Sequence, residues 1–571
     1  MVSPIKIFKL CNPYLQRYKV YLIAYIIITL IIGGISILSP YLIGNFIDAL
    51  VSEEAMESVY RYCMFFAAIT MAKLILGYVS SMMYVKMQVR IGYELNKNVL
   101  FHVQDMSLSF INRNNTAYLN QTINNDANAV VIFCITFLQN VLTNALTLIA
   151  TFYISFRMNS VISLMFISFM MLYILIYSYS KKSLFTVSML FKETQGSFFS
   201  SLQEQLQYTR FIKLHSFHKE FRHRLASSFE NLFSAAIKNQ RISYFFSSAD
   251  GIVSMIAQIL LFLIGSFLIM KGNFTIGMFT IFSAYFNMML GSARYFFNLG
   301  KTYQENLVSY HRLMKILDQP DEKQSNGTLA QVHSIHTAGL CFGYGGDKVL
   351  EDVSVHFEKG RIYGIIGANG SGKSTLVDLL AGLYSEERNG LITYNDVDIR
   401  EINTNELRQK HIGISEQEPI LINDTLRYNL CLGSPIPDED LLHKYIDILN
   451  LSDYINGQPE GLDTIIHENN TNLSGGEKQK MSILRVLNKN PEVMIFDEPT
   501  SALDIESSIK FMEYLDTIKH NKIIIIITHS QDIQNICETL YYLKDGAVQA
   551  VNFMRETTEV PPLHNLLKMN S

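Results

Sequence analysis

Charge is scarce in this sequence. Only 17% of its 571 residues are charged, below the quarter usual in soluble chains. The formal net charge of -4 excludes a large nucleic-acid footprint, and the near balance of signs gives no field to steer a strongly charged partner. Cysteine is also sparse. Cys11, Cys63, Cys134, Cys341, Cys431 and Cys537 stand far apart with no paired spacing and no histidine cluster, which excludes a disulfide framework and a zinc site and leaves free packing thiols. What remains is apolar: 49% of residues are hydrophobic and mean hydropathy is +0.16. At this length a two-part organisation is expected.

The apolar residues concentrate before residue 300. Runs at Val20–Ile43, Tyr60–Val85, Ala129–Tyr153, Val161–Ser178, Ile252–Met270 and Phe274–Leu290 each approach the ~20 residues a helix needs to cross a bilayer. The first is too long for a cleaved signal peptide, and further spans follow it. Positive charge orients the set. Lys6, Lys9, Arg17 and Lys19 precede the first span, and the connection between the fourth and fifth holds Lys181, Lys182, Lys192, Arg210, Lys213 and more. The opposite side has Arg61, Arg157 and Lys271. Both termini are therefore expected in the cytoplasm. The long cytoplasmic connections keep helical spacing at Ile91–Met106 and Phe198–Phe217, as expected of helices that run past the bilayer before turning back.

The polar stretch Asp318–Gly327, with Pro320, reads as part of a linker over 317–333. Beyond it, short β-rich runs alternate with helices, which predicts an α/β domain over 334–555 and a tail over 556–571. The strand Arg361–Ile366 runs into Gly367, Ala368, Asn369, Gly370, Ser371, Gly372, Lys373, Ser374 and Thr375. This is the full spacing of a phosphate-binding P-loop, in which backbone N–H groups and a helix N-terminus face the anion. Lys373 is expected on the β- and γ-phosphates of ATP, and Ser374 on Mg²⁺. The apolar run Val493–Phe496 ends in Asp497 and Glu498. Asp497 is expected to hold Mg²⁺ through a water, and Glu498 to polarise the attacking water.

Between these motifs stands Leu473-Ser-Gly-Gly-Glu-Lys-Gln-Lys480, which resembles the signature of the ABC ATPases, with Glu477 where glutamine is commoner. The resemblance extends along the chain. Tyr344 resembles the aromatic that stacks on adenine, Gln417 the glutamine that touches Mg²⁺ and senses the membrane domain, Asp504 the D-loop acid, and His529 the switch histidine on the γ-phosphate. It implies that Ser474, Gly475 and Gly476 cap the γ-phosphate held by an opposite subunit, hence a dimer. The intact catalytic positions favour an identical partner, a degenerate second half-transporter being the alternative. The membrane part resembles the six-helix type IV (B-type) exporters at Pro40, Asp48 and Phe274–Gly277. Coupling helices are implied near 107–118 and 205–216. The segment His467–Asn470 departs from the family's glycine-containing pattern there.

The overall expectation is an α-helical six-span membrane domain fused to an α/β P-loop NTPase, a multi-pass protein of the cell membrane in contact with lipid. No cysteine-peptidase domain is expected before the first span. The cargo expected is a small peptide or amphipathic compound. A lipid flippase and a nucleotide-gated regulator that transports nothing are the other readings. Polar residues inside spans, Lys73, Gln139, Asn140, Asn144, Gln258, Asn287 and Arg294, are candidates for a water-filled cavity. Lys73 can instead snorkel to an interface, and the amides can bond neighbouring helices.

Overall fold

The computed structural model describes residues 4–52, 56–113, 119–120, 122–272, 274–322, 324–344, 347–384, 387–432, 438–466, 473–501 and 503–551. The segment 467–470 and the tail 556–571 lie outside the described residues. The chain divides into two compact units at Pro320, with residues 107–110 belonging to the second.

The first unit is helical. In chain order the helices up to Pro320 are α1 (Pro4–Arg17), α2 (Lys19–Val51), α3 (Met56–Asp105), α4 (Leu108–Arg113, whose first three residues belong to the second unit), α5 (Ala127–Met158), α6 (Ser160–Gln207), α7 (Thr209–Leu214), α8 (His218–Met270) and α9 (Ile276–Leu317). Five stretches are long and apolar enough to cross a membrane among the described residues: Lys19–Val51, Met56–Asp105, Thr122–Met158, Gly251–Met270 and Ile276–Leu317. The remaining expected span, Val161–Ser178, lies within the unbroken helix α6. At 1.5 Å per residue, the 50 residues of α3 reach about 75 Å, more than twice the ~30 Å of a hydrocarbon core. Its later half therefore leaves the bilayer, and its sequence turns polar there. Arg17 reaches Glu94 at 3.1 Å and Tyr18 donates to the same carboxylate at 3.0 Å, while Asn98 donates to Tyr14 at 2.8 Å. Within α1, Ile7, Cys11 and Leu15, spaced by one helical turn, are buried.

Non-local polar contacts organise the two ends of this unit. At one end the helix α9 starts at Thr275, whose Oγ1 accepts from the N–H of Met278 at 3.0 Å. Asp48 accepts from Thr275 Oγ1 at 2.6 Å and from the N–H of Gly277 at 2.8 Å. The approach is close because both helices carry glycine there. A Cβ at Gly277 would fall 2.1 Å from the carbonyl oxygen of Gly44. At the other end, Asp126 closes a π-turn over Thr122–Asp126. It accepts from Ser309 at 2.8 Å and from Arg312 at 2.7 Å, tying the start of α5 to α9.

The second unit holds two large sheets and a short antiparallel pair of β8 (Asp424–Thr425) with β9 (Ile465–Ile466). Strands β1 (Ser334–Tyr344), β2 (Asp347–Val353), β3 (His356–Glu358), β5 (Asn389–Tyr394) and β6 (Val397–Asp398) form an antiparallel sheet in the order β2-β1-β5-β6, with β3 on β1. The larger sheet combines β4 (Arg361–Gly367), β7 (Ile412–Ser415), β10 (Val493–Asp497), β11 (Ile523–Ile527), β12 (Thr539–Lys544) and β13 (Ala547–Val551), in the order β13-β12-β4-β11-β10-β7. Every pairing from β12 to β7 is parallel. A parallel sheet covered on both faces reads as continuous apolar sequence, and β11 is five isoleucines, all buried. Ile523, Ile525 and Ile527 enter one core cluster, and Ile524 and Ile526 enter the other, as the two-residue period of a strand requires.

Candidate active site

Four neighbouring parallel strands, β4, β11, β10 and β7, end at the same edge of the large sheet, where ligands of open α/β sheets bind. The segment after each carries one expected group. After β4 the chain turns through Gly370 (φ 79°) and Gly372 (φ 102°), left-handed conformations that suit glycine. Helix α10 (Lys373–Leu380) starts immediately. A Cβ at Gly372 would lie 2.7 Å from Leu350, and one at Gly367 would lie 2.3 Å from the carbonyl oxygen of Leu543. The loop can take this path only with glycine at these places. The buried Lys373 ammonium donates to the carbonyls of Gly367 at 2.8 Å and Ala368 at 3.0 Å, and lies 3.4 Å from Nε2 of His529. The hydroxyl of Ser371 is buried with no partner among the described residues, a donor facing a loop built for an anion.

At the end of β10, Asp497 accepts from Ser374 Oγ at 3.4 Å. Burial, reinforced by the adjacent Glu498 charge, raises the Asp497 carboxyl above its ordinary range, with Ser374 and Lys373 opposing the shift. A cation would relieve this, and an acid beside a hydroxyl is a hard-oxygen donor set that fits Mg²⁺. Among the described residues no group of three or more His, Cys, Asp or Glu could cage a metal. The arrangement suits an ion that keeps waters and shares nucleotide phosphates.

Glu498 follows in a left-handed conformation (φ 48°), which costs a non-glycine residue on the order of 1 kcal/mol or more. Its backbone is clamped in place. The N–H donates to Ile527 at 2.9 Å, and the carbonyl accepts from Gln479 Nε2 at 2.7 Å and Ser501 Oγ at 3.0 Å. The carboxylate is held between Gln417 Nε2 at 3.1 Å, from the segment after β7, and His529 Nε2 at 3.5 Å, from the segment after β11. Lys373, His529, Glu498 and Gln417 thus form one chain of contacts, with the Ser374–Asp497 pair beside it.

Tyr344 ends β1. Its ring meets those of Phe342 and Tyr384 edge-on at centroid distances of 5.0 and 5.7 Å, and its hydroxyl lies 3.4 Å from that of Thr375. The ring is held by these neighbours while 42% of the residue stays exposed. The signature residues are arranged differently. Ser474 caps the helix Gly475–Lys489, and Glu477 accepts from its N–H at 2.7 Å and its hydroxyl at 2.8 Å. Ser474 and Gly475 are exposed, and the side chain of Ser474 bonds within its own helix start. Asp504 caps the helix Ile505–Ile518 through Ser507 and meets Lys480 at 3.0 Å. The N–H of Ser507, with Lys480 behind it, holds its carboxyl well below the usual range.

Three residues near this network escaped the sequence reading. Gln479 is buried and carries the Glu498 backbone, and its place two residues after Glu477 was the only cue. Asp378 is pushed up to about 6 by burial and by the charges of Glu416 and Asp497. Asp378 lies outside the motifs, and Glu416 stands directly before Gln417 in the motif around that glutamine.

Of the polar residues expected inside the spans, Asn144 spends its amide N–H on the carbonyl of Asn140 at 2.8 Å, and Asn287 on that of Ser283 at 3.0 Å, each within its own helix. Arg294 donates to Ser254 at 3.0 Å. Lys73 is exposed, and Gln139 and Gln258 are partly buried.

Comparison with known proteins gives two family matches: "ABC transporter" over residues 350–501 and "ABC transporter transmembrane region" over 22–293. An ATP-dependent lipid A-core flippase of Syntrophus aciditrophicus (strain SB) is 27% identical over 95% of this chain and 90% of its own. An ATP-binding/permease protein of Staphylococcus aureus (strain NCTC 8325 / PS 47), named for multidrug export, is 26% identical over 95% and 96%. The solved structure of a bacterial Atm1-family ABC exporter with ATP bound matches in fold, with a TM-score of 0.82 over 98% of this chain and 97% of that one, at 20% identity.

Proposed function

The chain belongs to the ABC transporters as a multi-pass exporter with an ATP-binding, ATP-hydrolysing domain, and from that premise we propose that it exports a small peptide or amphipathic compound as a homodimer. The observation that carries the catalytic part is Glu498, suspended between Gln417 and His529. Glu498 takes the proton of the attacking water. Gln417 and His529 orient its carboxylate, and Gln479 fixes the backbone beneath it. Lys373 turns its ammonium from the loop carbonyls to the phosphates, Tyr344 offers its ring to adenine, and Ser474, Gly475 and Gly476 serve the partner's nucleotide. Bound Mg²⁺, which Ser374, Asp497 and Gln417 would hold, neutralises phosphate charge.

The exposure of Ser474 and Gly475 supports dimerisation, since a serine and glycine at an open helix start gain a purpose when another molecule closes on them. Charge asymmetry supports cytoplasmic termini. For 107–118 as a coupling segment, the support is Leu108, packed against the core of the second unit, and Ser109, which donates to Glu387. Lys73, Gln139, Asn144, Gln258, Asn287 and Arg294 are proposed as polar lining of the translocation path.

Glu498→Gln should reduce ATP turnover by about 10²–10⁴-fold while ATP binding persists. Retained turnover overturns the mechanism and reopens the regulatory reading. The flippase named among the relatives favours lipid as a second cargo class. In proteoliposomes, turnover stimulated by peptides but not by added lipid supports the first reading; the reverse supports the second.

A further inference from the structure

Within the helical unit, a cavity of about 600 Å³ opens between the start of α5, the polar length of α6 and the last turns of α9. Its α6 wall begins ten residues beyond the expected end of the fourth span, so most of it stands outside the hydrocarbon on the proposed cytoplasmic side. None of the polar span residues proposed for the translocation path lines it. Its size is ordinary for a small-molecule site.

The charges lining it are Asp126, Lys192, Glu193, Glu305 and Arg312, three carboxylates against two cations. They are not equally available. Arg312 is committed to the buried Asp126, 2.7 Å away, in a pair whose acid is only 4% exposed. That pair is costly to separate and forms the fixed floor. Lys192 stands 4.0 Å from Glu305, with both side chains partly exposed, a weak pair that can open at little cost. No ion pair engages Glu193 among the described residues. The balance available to an entering molecule is therefore negative. Phe199, Met189 and Val308 supply apolar surface on the same walls.

We propose that this cavity is a cytoplasmic loading site for a small ligand with an ammonium group beside an apolar side chain, of which the free amino end of a short peptide is the type. Glu193 and Glu305 receive the ammonium, Lys192 swings away or meets an anionic end, and Phe199 and Met189 cover the side chain. The inference rests on the export reading and narrows its substrate class.

The chain has no tryptophan, so Phe199→Trp creates a single fluorescent reporter at the cavity. With the full-length F199W protein in nanodiscs and no nucleotide, the dipeptide amide Phe-Ala-NH₂ should change the emission saturably. Its N-acetylated form should bind at least about tenfold more weakly, since it lacks the charge-assisted bonds. Adding Glu193→Gln and Glu305→Gln should weaken the cationic probe by a similar factor. Adding Glu193→Lys and Glu305→Lys should instead confer binding of N-acetyl-Phe-Ala with a free carboxylate, a gain that an unfolded variant cannot show. Equal binding of the acetylated probe, unchanged affinity in the glutamine variant, no gain in the lysine variant or no saturable signal at all would each overturn the site. Turnover that depends on Glu498 is measured separately. If it survives while the probe fails, the loading site alone falls; if E498Q turns over ATP, the mechanism falls whatever the probe does.

Discussion

The two units use polar side chains in opposite ways. In the ATPase, polar groups reach across the sheet edge, so that Gln417, Gln479, Glu498 and His529 meet although up to 112 residues separate the first from the last. In the membrane helices, most polar side chains fold back onto their own backbone. Thr29 bonds Tyr25, Asn144 bonds Asn140, and Asn287 bonds Ser283. A local bond of this kind is made in the separated helix as well as in the packed bundle. It removes the cost of a polar group in lipid without specifying a neighbour. A polar residue in a span is therefore weak evidence of a cavity, while a polar residue after a parallel strand is strong evidence of a site.

The comparison has exceptions inside the membrane unit, and they give the largest expected effect. Asp48 bonds Thr275 and the backbone of Gly277, more than two hundred residues away. Asp48→Ala removes both acceptors at the start of α9 and should destabilise the unit by about 2–3 kcal/mol, as charged-group hydrogen bonds do. Denaturant unfolding in lipid nanodiscs measures it. A loss no larger than that of a locally bonded residue would break the distinction.

This difference also decides what was legible in the sequence. The P-loop, Asp497–Glu498 and His529 could be read because each follows a strand whose apolar run marks where it ends. The spans could be read from apolar length. The network under Glu498 could not, since Gln479 acquires its role only when the helix Gly475–Lys489 packs beside β10. Asp48 and Gly277 were visible as family-like positions, but their bond was not, because no local period links residues so distant. Asp126 and Arg312 carried no cue at all, although together they anchor the cavity floor. The role of Asp504 as a helix cap is written in its spacing to Ser507, a structural use that the resemblance to a D-loop acid did not specify.

A smaller effect tests the ATPase side of the comparison. Asp378 is held to about 6, with burial the main cause. Because the folded value lies above the ordinary carboxylate range, ionising this group costs stability. The cost is fully present above about pH 6 and disappears as pH falls toward the unfolded value of about 4. Asp378→Asn should therefore raise the unfolding temperature at pH 8 by about 2–4 °C if the cost is about 1 kcal/mol. The advantage should shrink as pH falls from 7 to 5. Thermal melts without nucleotide measure both. An advantage independent of pH would mean that shape, not charge, governs that position.

The smallest effect bears on the weakest inference from the sequence, that polar span residues mark a passage. Asn144→Leu removes an amide that bonds its own helix at 2.8 Å. Because the unpacked helix makes the same bond, its loss largely cancels between the two states. The change should alter unfolding stability by less than about 0.6 kcal/mol, the average for bonds made between membrane helices. Stability and cargo-stimulated turnover then separate two roles for one residue. A silent stability result with altered stimulation favours Asn144 as passage lining; silence in both leaves it as a satisfied helix residue, and the passage must be sought elsewhere. A stability loss equal to that of Asp48→Ala would show that Asn144 bonds across helices in the working protein, and the contrast between the two units would narrow to the chemistry of the ATPase edge alone.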